Sequence, residues 1–320
     1  MLSFSDFEKK QFLFVFFNKG EKLSFSNDNV IVKTKDGKIK LQCSCYRIFL
    51  IYAIGNFTLT SVVIQQSRKF GFFIALMSSS FKMYEMLGAV KDSNTLLKHR
   101  QYEYDSLKLA KWIIANKIEN QRRGLMQIRN KSTELKQVIQ LLDDYRLKLE
   151  TTKSLAEIMG IEGIAAKLYF RNHFNNVEWS GRQPRLKRDY VNATLDIGYT
   201  LLFNFIDSIL LSYGFDTYKG VLHRQFYMRK SLVCDLIEPF RILIDYQVKK
   251  SINLKQISED DFIVRNHQYM LKYDKNAHYV SILMQPILES RKDIFLYIQK
   301  YYRSFMKQLP IEQYSTYTWR

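Results

Sequence analysis

A chain of 320 residues is long enough for one large or two ordinary domains with real cores, and two are expected here. Its 49 lysines and arginines against 31 acidic residues leave a formal charge of +18, a field that favours a polyanion, either nucleic acid or an anionic membrane surface. No unbroken apolar run approaches the roughly 18–20 residues that cross a bilayer, and no export signal is legible, so a soluble, cytoplasmic protein without membrane partners is expected.

Lys9 and Lys10 before Phe12–Phe17 imitate the start of a leader, but the apolar stretch is short and reads as a strand. Leu23–Phe25 is a short strand, Asn27-Asp28-Asn29 a turn, and Val30–Lys33 with Lys38–Cys43 a hairpin about Asp36-Gly37. Ile48–Ile54, the longest apolar run, is a buried strand ended by Gly55-Asn56. Thr58–Phe70 reads as a short helix stopped at Gly71, and Phe72–Met77 as a further strand. At Ala89–Asn94 an apolar segment gives way to Lys91-Asp92-Ser93-Asn94, which is the expected domain boundary. Beyond it run long helical periods: Leu96–Arg123, Thr133–Leu149, Ser154–Phe174, Val191–Leu211, Ser231–Lys249 and Ile282–Met306. The expected fold class is α+β in two domains, a small N-terminal β-sheet domain over residues 1–90 and a C-terminal all-α domain over residues 91–320. Three cysteines, Cys43, Cys45 and Cys234, make neither a disulfide framework nor a zinc site and fit a reducing compartment.

The stretch Tyr218–Arg241 concentrates the residues that could carry chemistry. From Ser231, a fair N-cap, the apolar stripe Leu232, Val233, Leu236, Ile237, Phe240 and Leu243 predicts a helix on which Asp235 and Glu238 share a polar, acidic face away from much of that stripe. His223 lies fifteen residues before Glu238, so a loop must fold back if they are to meet. Pro239 denies the Asp235 carbonyl its usual helical partner and predicts a kink that presents Glu238. Further upstream, Gly160-Ile-Glu162-Gly163 sets two glycines in a helix interior, where each costs roughly 1 kcal/mol relative to alanine. Close approach to a metal, a phosphate backbone or another helix would compensate; so would a surface glutamate on a tightly packed helix pair.

Glu162, His223 and Glu238 together offer two carboxylates and an imidazole, which suit Mg²⁺ or Mn²⁺ with other positions open to water and phosphate oxygens. The basic clusters Arg182, Arg185, Lys187 and Arg188, then Arg224, Arg229 and Lys230, flank these residues as candidate phosphate contacts or as solvated faces. His99, His173, His267 and His278 stand without companions at metal-ligand spacing and read as structural or surface residues. There is no Walker loop, dinucleotide fingerprint or nucleophile elbow, which argues against a nucleotide-fuelled or thiol enzyme.

Gly160-Ile-Glu162-Gly-Ile-Ala-Ala166, Gly220-Val-Leu-His223 and Ser231-Leu-Val-Cys-Asp-Leu-Ile-Glu238-Pro-Phe-Arg241 resemble, in order and spacing, three successive motifs of the CRISPR-associated integrase of family one, the enzyme of spacer acquisition. Asp189-Tyr-Val-Asn192-Ala193 and Gly198-Tyr199 are similar to a further family segment, although many members have proline where this chain has Tyr190. Ile54-Gly55-Asn56 and Lys69-Phe70-Gly71-Phe72 extend the resemblance into the N-terminal region. Asn27-Asp28-Asn29 and Cys45-Tyr46-Arg47 resemble variants of the type V-A branch. The resemblance implies an N-terminal β domain that pairs subunits, a C-terminal helical domain that holds the metal, and homodimers that flank a dimer of the small family-two protein. A family-four exonuclease is a further expected partner. It also implies Glu162, His223 and Glu238 as metal ligands and catalytic residues, with Asp235 as a nearby accessory acid. The implied reaction joins the 3′-hydroxyl of captured DNA to a phosphodiester at the leader–repeat junction of the repeat array. Two other readings stay open, a noncatalytic basic scaffold for nucleic acid and a branched-DNA nuclease without an integration role.

Overall fold

The computed structural model describes residues 3–91, 93–104, 106–177, 179–223 and 226–320. A short helix α1 (Phe4–Glu8) leads into strands β1 (Gln11–Phe17), β2 (Lys22–Ser26), β3 (Asn29–Lys33), β4 (Ile39–Ser44), β5 (Ile48–Gly55) and β6 (Thr58–Leu59), then helix α2 (Ser61–Phe70) and strands β7 (Phe73–Met77) and β8 (Met83–Gly88). Sequence periodicity missed β8, where Glu85 and Tyr84 are exposed at an edge and break the apolar pattern. One sheet runs β1-β5-β7-β8 and the other β4-β3-β2-β6. Pairing of β1 with β5 and of β5 with β7 is parallel. That arrangement buries β5 on both faces and explains its unbroken apolar run. One face of this strand packs with Val15, Leu23, Val32 and Val63 between the sheets. The other, through Phe49 and Tyr52, joins the helical core, and the Tyr52 hydroxyl donates to the Leu201 carbonyl at 3.0 Å.

The helical region holds α3 (Thr95–Glu103), α4 (Ser106–Met126), α5 (Thr133–Lys148), α6 (Leu155–His173), α7 (Tyr190–Tyr213), α8 (Ser231–Leu236) and α9 (Arg241–Asn253). A hairpin of β9 (Phe262–Arg265) and β10 (Gln268–Leu271) follows, then α10 (Asn276–Glu289) and α11 (Arg291–Met306). Three expected helices are divided. The Leu96–Arg123 period breaks into α3 and α4 around Tyr104, which is extended. The C-terminal period starts earlier than Ile282 and turns at Ser290 between α10 and α11. Ser231–Lys249 breaks at a single 3-10 turn, Glu238–Phe240, with Pro239 near its start.

The expectation that no stretch could cross a membrane needs correction for α7. Its 24 residues are apolar enough by length and composition, because interspersed Asn192, Thr194 and Asn204 interrupt the run without lowering the average far. The physical role is a core helix, since 78% of its apolar window is buried inside the protein.

Candidate active site

The segment after α7 returns onto α8 through one carboxylate. Asp235 is fully buried, and its Oδ2 accepts the backbone N–H groups of Val221 at 2.6 Å and Leu222 at 3.0 Å. Its Oδ1 accepts the His223 N–H at 3.0 Å and lies 2.6 Å from His223 Nδ1. A carboxylate already taking three backbone donors is an acceptor for the ring as well. In the neutral ring Nδ1 therefore carries the hydrogen and Nε2 keeps its lone pair. Gly220 permits this closure, since a Cβ there would stand 2.7 Å from Asp235 Oδ2 and 2.7 Å from the Ser231 Cβ. Ser231 is not the N-cap expected: Lys230 holds that position, and the small serine is buried beneath Gly220.

Glu238 stands on the 3-10 turn and is also buried, 5% exposed. The polar, acidic face expected for Asp235 and Glu238 is buried, because α4 and the preceding loop cover it. Glu238 Oε2 lies 2.6 Å from Lys117 Nζ and 3.0 Å from Arg241 Nε. Lys117, on α4, also donates to Glu162 Oε1 on α6. Burial alone would push the Glu238 carboxyl up; the Arg241 and Lys117 charges outweigh it and hold it at about 2. Arg241 lies over the Tyr199 ring at 4.5 Å from the centroid, and Arg182 at 5.2 Å. The Tyr199 hydroxyl donates to Asp245, whose carboxyl burial pushes up to about 6 against the pull of Tyr199 and Arg241.

The glycines flanking Glu162 have a different use from close helix approach. A Cβ on Gly160 or Gly163 would meet nothing within 4 Å, and Gly163 lines open space beside Glu162. That space is a cleft of about 2030 Å³. Lys117, Glu162, His223, Glu238 and Arg241 all line it. Of the basic residues singled out in sequence, Arg185, Lys187 and Arg229 line the cleft and Arg188 is exposed, whereas Arg224 lies outside the described residues. Arg182 lines it too but is committed to Asp196 at 2.6 Å and Asn192 at 2.9 Å. Lys230 is tied to the buried Asp207 at 2.7 Å. Both are engaged in ion pairs within the fold. The other histidines are structural or surface residues: His173 is buried, and burial first, then the Lys249 charge, pushes its pKa down to about 3. His99 pairs with Glu103 on an exposed helix face, and His278 Nε2 lies 2.8 Å from the Gln256 carbonyl. His267 takes a positive φ in the β9–β10 turn.

Sequence reasoning missed Lys117, Lys167 and Arg171. Lys167 and Arg171 stand one turn apart on the cleft-facing side of α6. Lys117 did leave a trace, a lysine on the buried stripe of α4 that otherwise holds Leu109, Ile113, Ile114 and Leu125. Among the described residues no three His, Cys, Asp or Glu side chains are gathered closely enough to clasp a metal ion. The donor types nevertheless fit a hard cation: two carboxylates from separate elements converge on one positive charge, the Lys117 ammonium, and an oriented imidazole shares their cleft.

The family model described as CRISPR associated protein Cas1 matches residues 14–284. A protein of Thermodesulfovibrio yellowstonii named CRISPR-associated endonuclease Cas1 1 is 30% identical over 242 residues, 72% of this chain and 75% of that protein. Among solved structures, a casposase bound to integration product superposes with a TM-score of 0.78 at 21% identity, over 97% of this chain and 94% of that one. A chain of the Cas6-RT-Cas1--Cas2 complex gives a TM-score of 0.82 at 23% identity over 97% of this chain. This chain spans only 36% of that longer protein.

Proposed function

The chain belongs to the CRISPR-associated Cas1 family, and from that premise we propose that it is a metal-dependent DNA integrase and endonuclease of CRISPR adaptation. Its reaction is transesterification: the 3′-hydroxyl oxygen of captured DNA attacks a phosphorus at the leader–repeat junction, and the bond from that phosphorus to the leaving 3′-oxygen breaks. One phosphodiester forms for each one broken, so no nucleotide is consumed. The proton leaves the attacking hydroxyl, and the departing oxygen takes one up. The observation that carries the reading is the convergence of Glu162 and Glu238 on one cation at the wall of a basic cleft that His223 shares.

Glu162, Glu238 and His223 Nε2 would hold Mg²⁺ or Mn²⁺, the imidazole tilting the choice toward Mn²⁺. When bound, such an ion polarises a phosphoryl oxygen and stabilises attacking and leaving oxygens of an in-line displacement. Asp235 fixes the tautomer and direction of His223, which is the duty of an accessory acid. Arg241 keeps Glu238 anionic, and Arg185, Lys187 and Arg229 supply positive charge for the DNA backbones along the cleft. Residues 1–90 serve subunit pairing and 91–320 catalysis. The partners we assign are a second copy, the small family-two protein Cas2, and a family-four exonuclease. The type V-A assignment rests on the N-terminal segments alone, and the genes beside the coding region test it.

One observation favours a second reading, a basic nucleic-acid scaffold: Glu162 is already paired with Lys117, and Glu238 with Lys117 and Arg241. Insertion separates the two. Purified protein with Cas2, Mn²⁺ or Mg²⁺ and a short duplex inserts that duplex into a plasmid carrying a repeat, and His223→Ala abolishes insertion. Insertion unchanged in that variant overturns the site, and cleavage without joining identifies a branched-DNA nuclease instead.

A further inference from the structure

Lys117 is an unusual neighbour for two metal-binding carboxylates. Its side chain is 9% exposed, and it touches Glu162, at 27%, and Glu238, at 5%, together. Without its charge two anions, one of them buried, would face each other at the wall of the cleft. Its position is fixed from behind. Asn116 and Asn120, on either side of it in α4, bond the backbone of Tyr317 and Trp319, and Asn120 also donates to the Pro239 carbonyl beside Glu238.

We propose that Lys117 is a resident placeholder for the divalent ion, holding Glu162 and Glu238 together in the metal-free protein and withdrawing when the ion binds. The inference rests on the reading of Glu162, His223 and Glu238 as metal ligands. Two features suit withdrawal. Lysine carries a single mobile charge on a four-carbon stem with three rotatable donors, unlike the rigid fork of arginine. One turn along α4, Gln121 Oε1 is buried on the same cleft without a hydrogen-bond partner among the described residues, an acceptor ready for the displaced ammonium. The lysine thus keeps the ligands preorganised, and it costs apparent metal affinity because the ion must compete for them.

The test is Mn²⁺ binding to the full chain, by calorimetry and by electron paramagnetic resonance, in wild type, Lys117→Met and Lys117→Gln. If the ammonium leaves the carboxylates free about a tenth of the time, the neutral variants bind Mn²⁺ about tenfold more tightly than wild type. They also melt at lower temperature without metal and gain more on its addition. Neutral variants that unfold without Mn²⁺ and refold with it give the same answer; variants that unfold and are not rescued overturn the placeholder. Equal or weaker Mn²⁺ binding in both variants, with wild-type binding intact and Glu162-dependent, overturns the placeholder while leaving the metal site standing. No Glu162-dependent binding in any of the three proteins overturns the metal site and the placeholder with it.

Discussion

Replacing Asp235 by asparagine keeps the size of the side chain but changes what it offers to three backbone N–H donors and an imidazole. One carboxylate oxygen becomes an NH₂ group that faces donors, and the His223 ring loses the acceptor that fixes its tautomer. With His223 as the proposed ligand, a change to such an outer partner costs roughly 10–100-fold in metal affinity or activity. Insertion by Asp235→Asn is therefore expected to fall by that factor at temperatures where the variant remains folded by circular dichroism. Insertion at the wild-type rate would show that His223 orients itself. Asp235 and Glu238 also show how little a residue's type says of its duty. Three positions apart on one short segment, the first organises a loop and the second faces two cations.

Among the elements, the broken helix between α8 and α9 matters most, because the 3-10 turn at Glu238–Phe240 redirects the chain where the buried Glu238 stands. Pro239 supplies the break by lacking an N–H, and α4 fixes the result. Asn120 is the joint: its Nδ2 donates to the Pro239 and Tyr317 carbonyls, each at 3.0 Å, and its Oδ1 accepts the Trp319 N–H at 2.9 Å. Asn120→Ala takes this partner from the Pro239 carbonyl and the Trp319 N–H, while Asn116 still serves the Tyr317 carbonyl, and each of the two groups left unsatisfied costs about 1–3 kcal/mol. A loss of about 2–5 kcal/mol in denaturant unfolding is expected, after partial relaxation. A loss within 0.5 kcal/mol would mean that the C-terminal segment holds the turn without Asn120. The β9–β10 hairpin plays a similar part at the rim, where the Tyr269 N–H donates to the Lys187 carbonyl at 2.8 Å and fastens the basic loop.

For the whole molecule, the charge of +18 has meaning through its distribution along the cleft. Lys167 and Arg171 are exposed on its α6 wall and engage no ion pair among the described residues. If both contact phosphates, the joint substitution Lys167→Ala and Arg171→Ala lowers the slope of log affinity against log salt by roughly 0.9 for each contact on duplex DNA. Fluorescence anisotropy across salt concentrations measures it, and an unchanged slope would place the DNA elsewhere. Much of this architecture was legible in the chain itself. The two-region pattern, the buried β5 and the helix break at Pro239 follow from local rules, namely period, run length and a missing N–H, that act within a few residues. Glu162, His223 and Glu238 stood out by the resemblance of three segments to family motifs. Lys117 between two of them, the fold-back of the His223 loop onto a buried Asp235, and the diversion of Arg182 and Lys230 into internal pairs were decided only in three dimensions. The reason is that a charge finds its partner by distance in space, and residues remote in the chain come within 3 Å only after the apolar stripes of α4, α6 and α8 have packed.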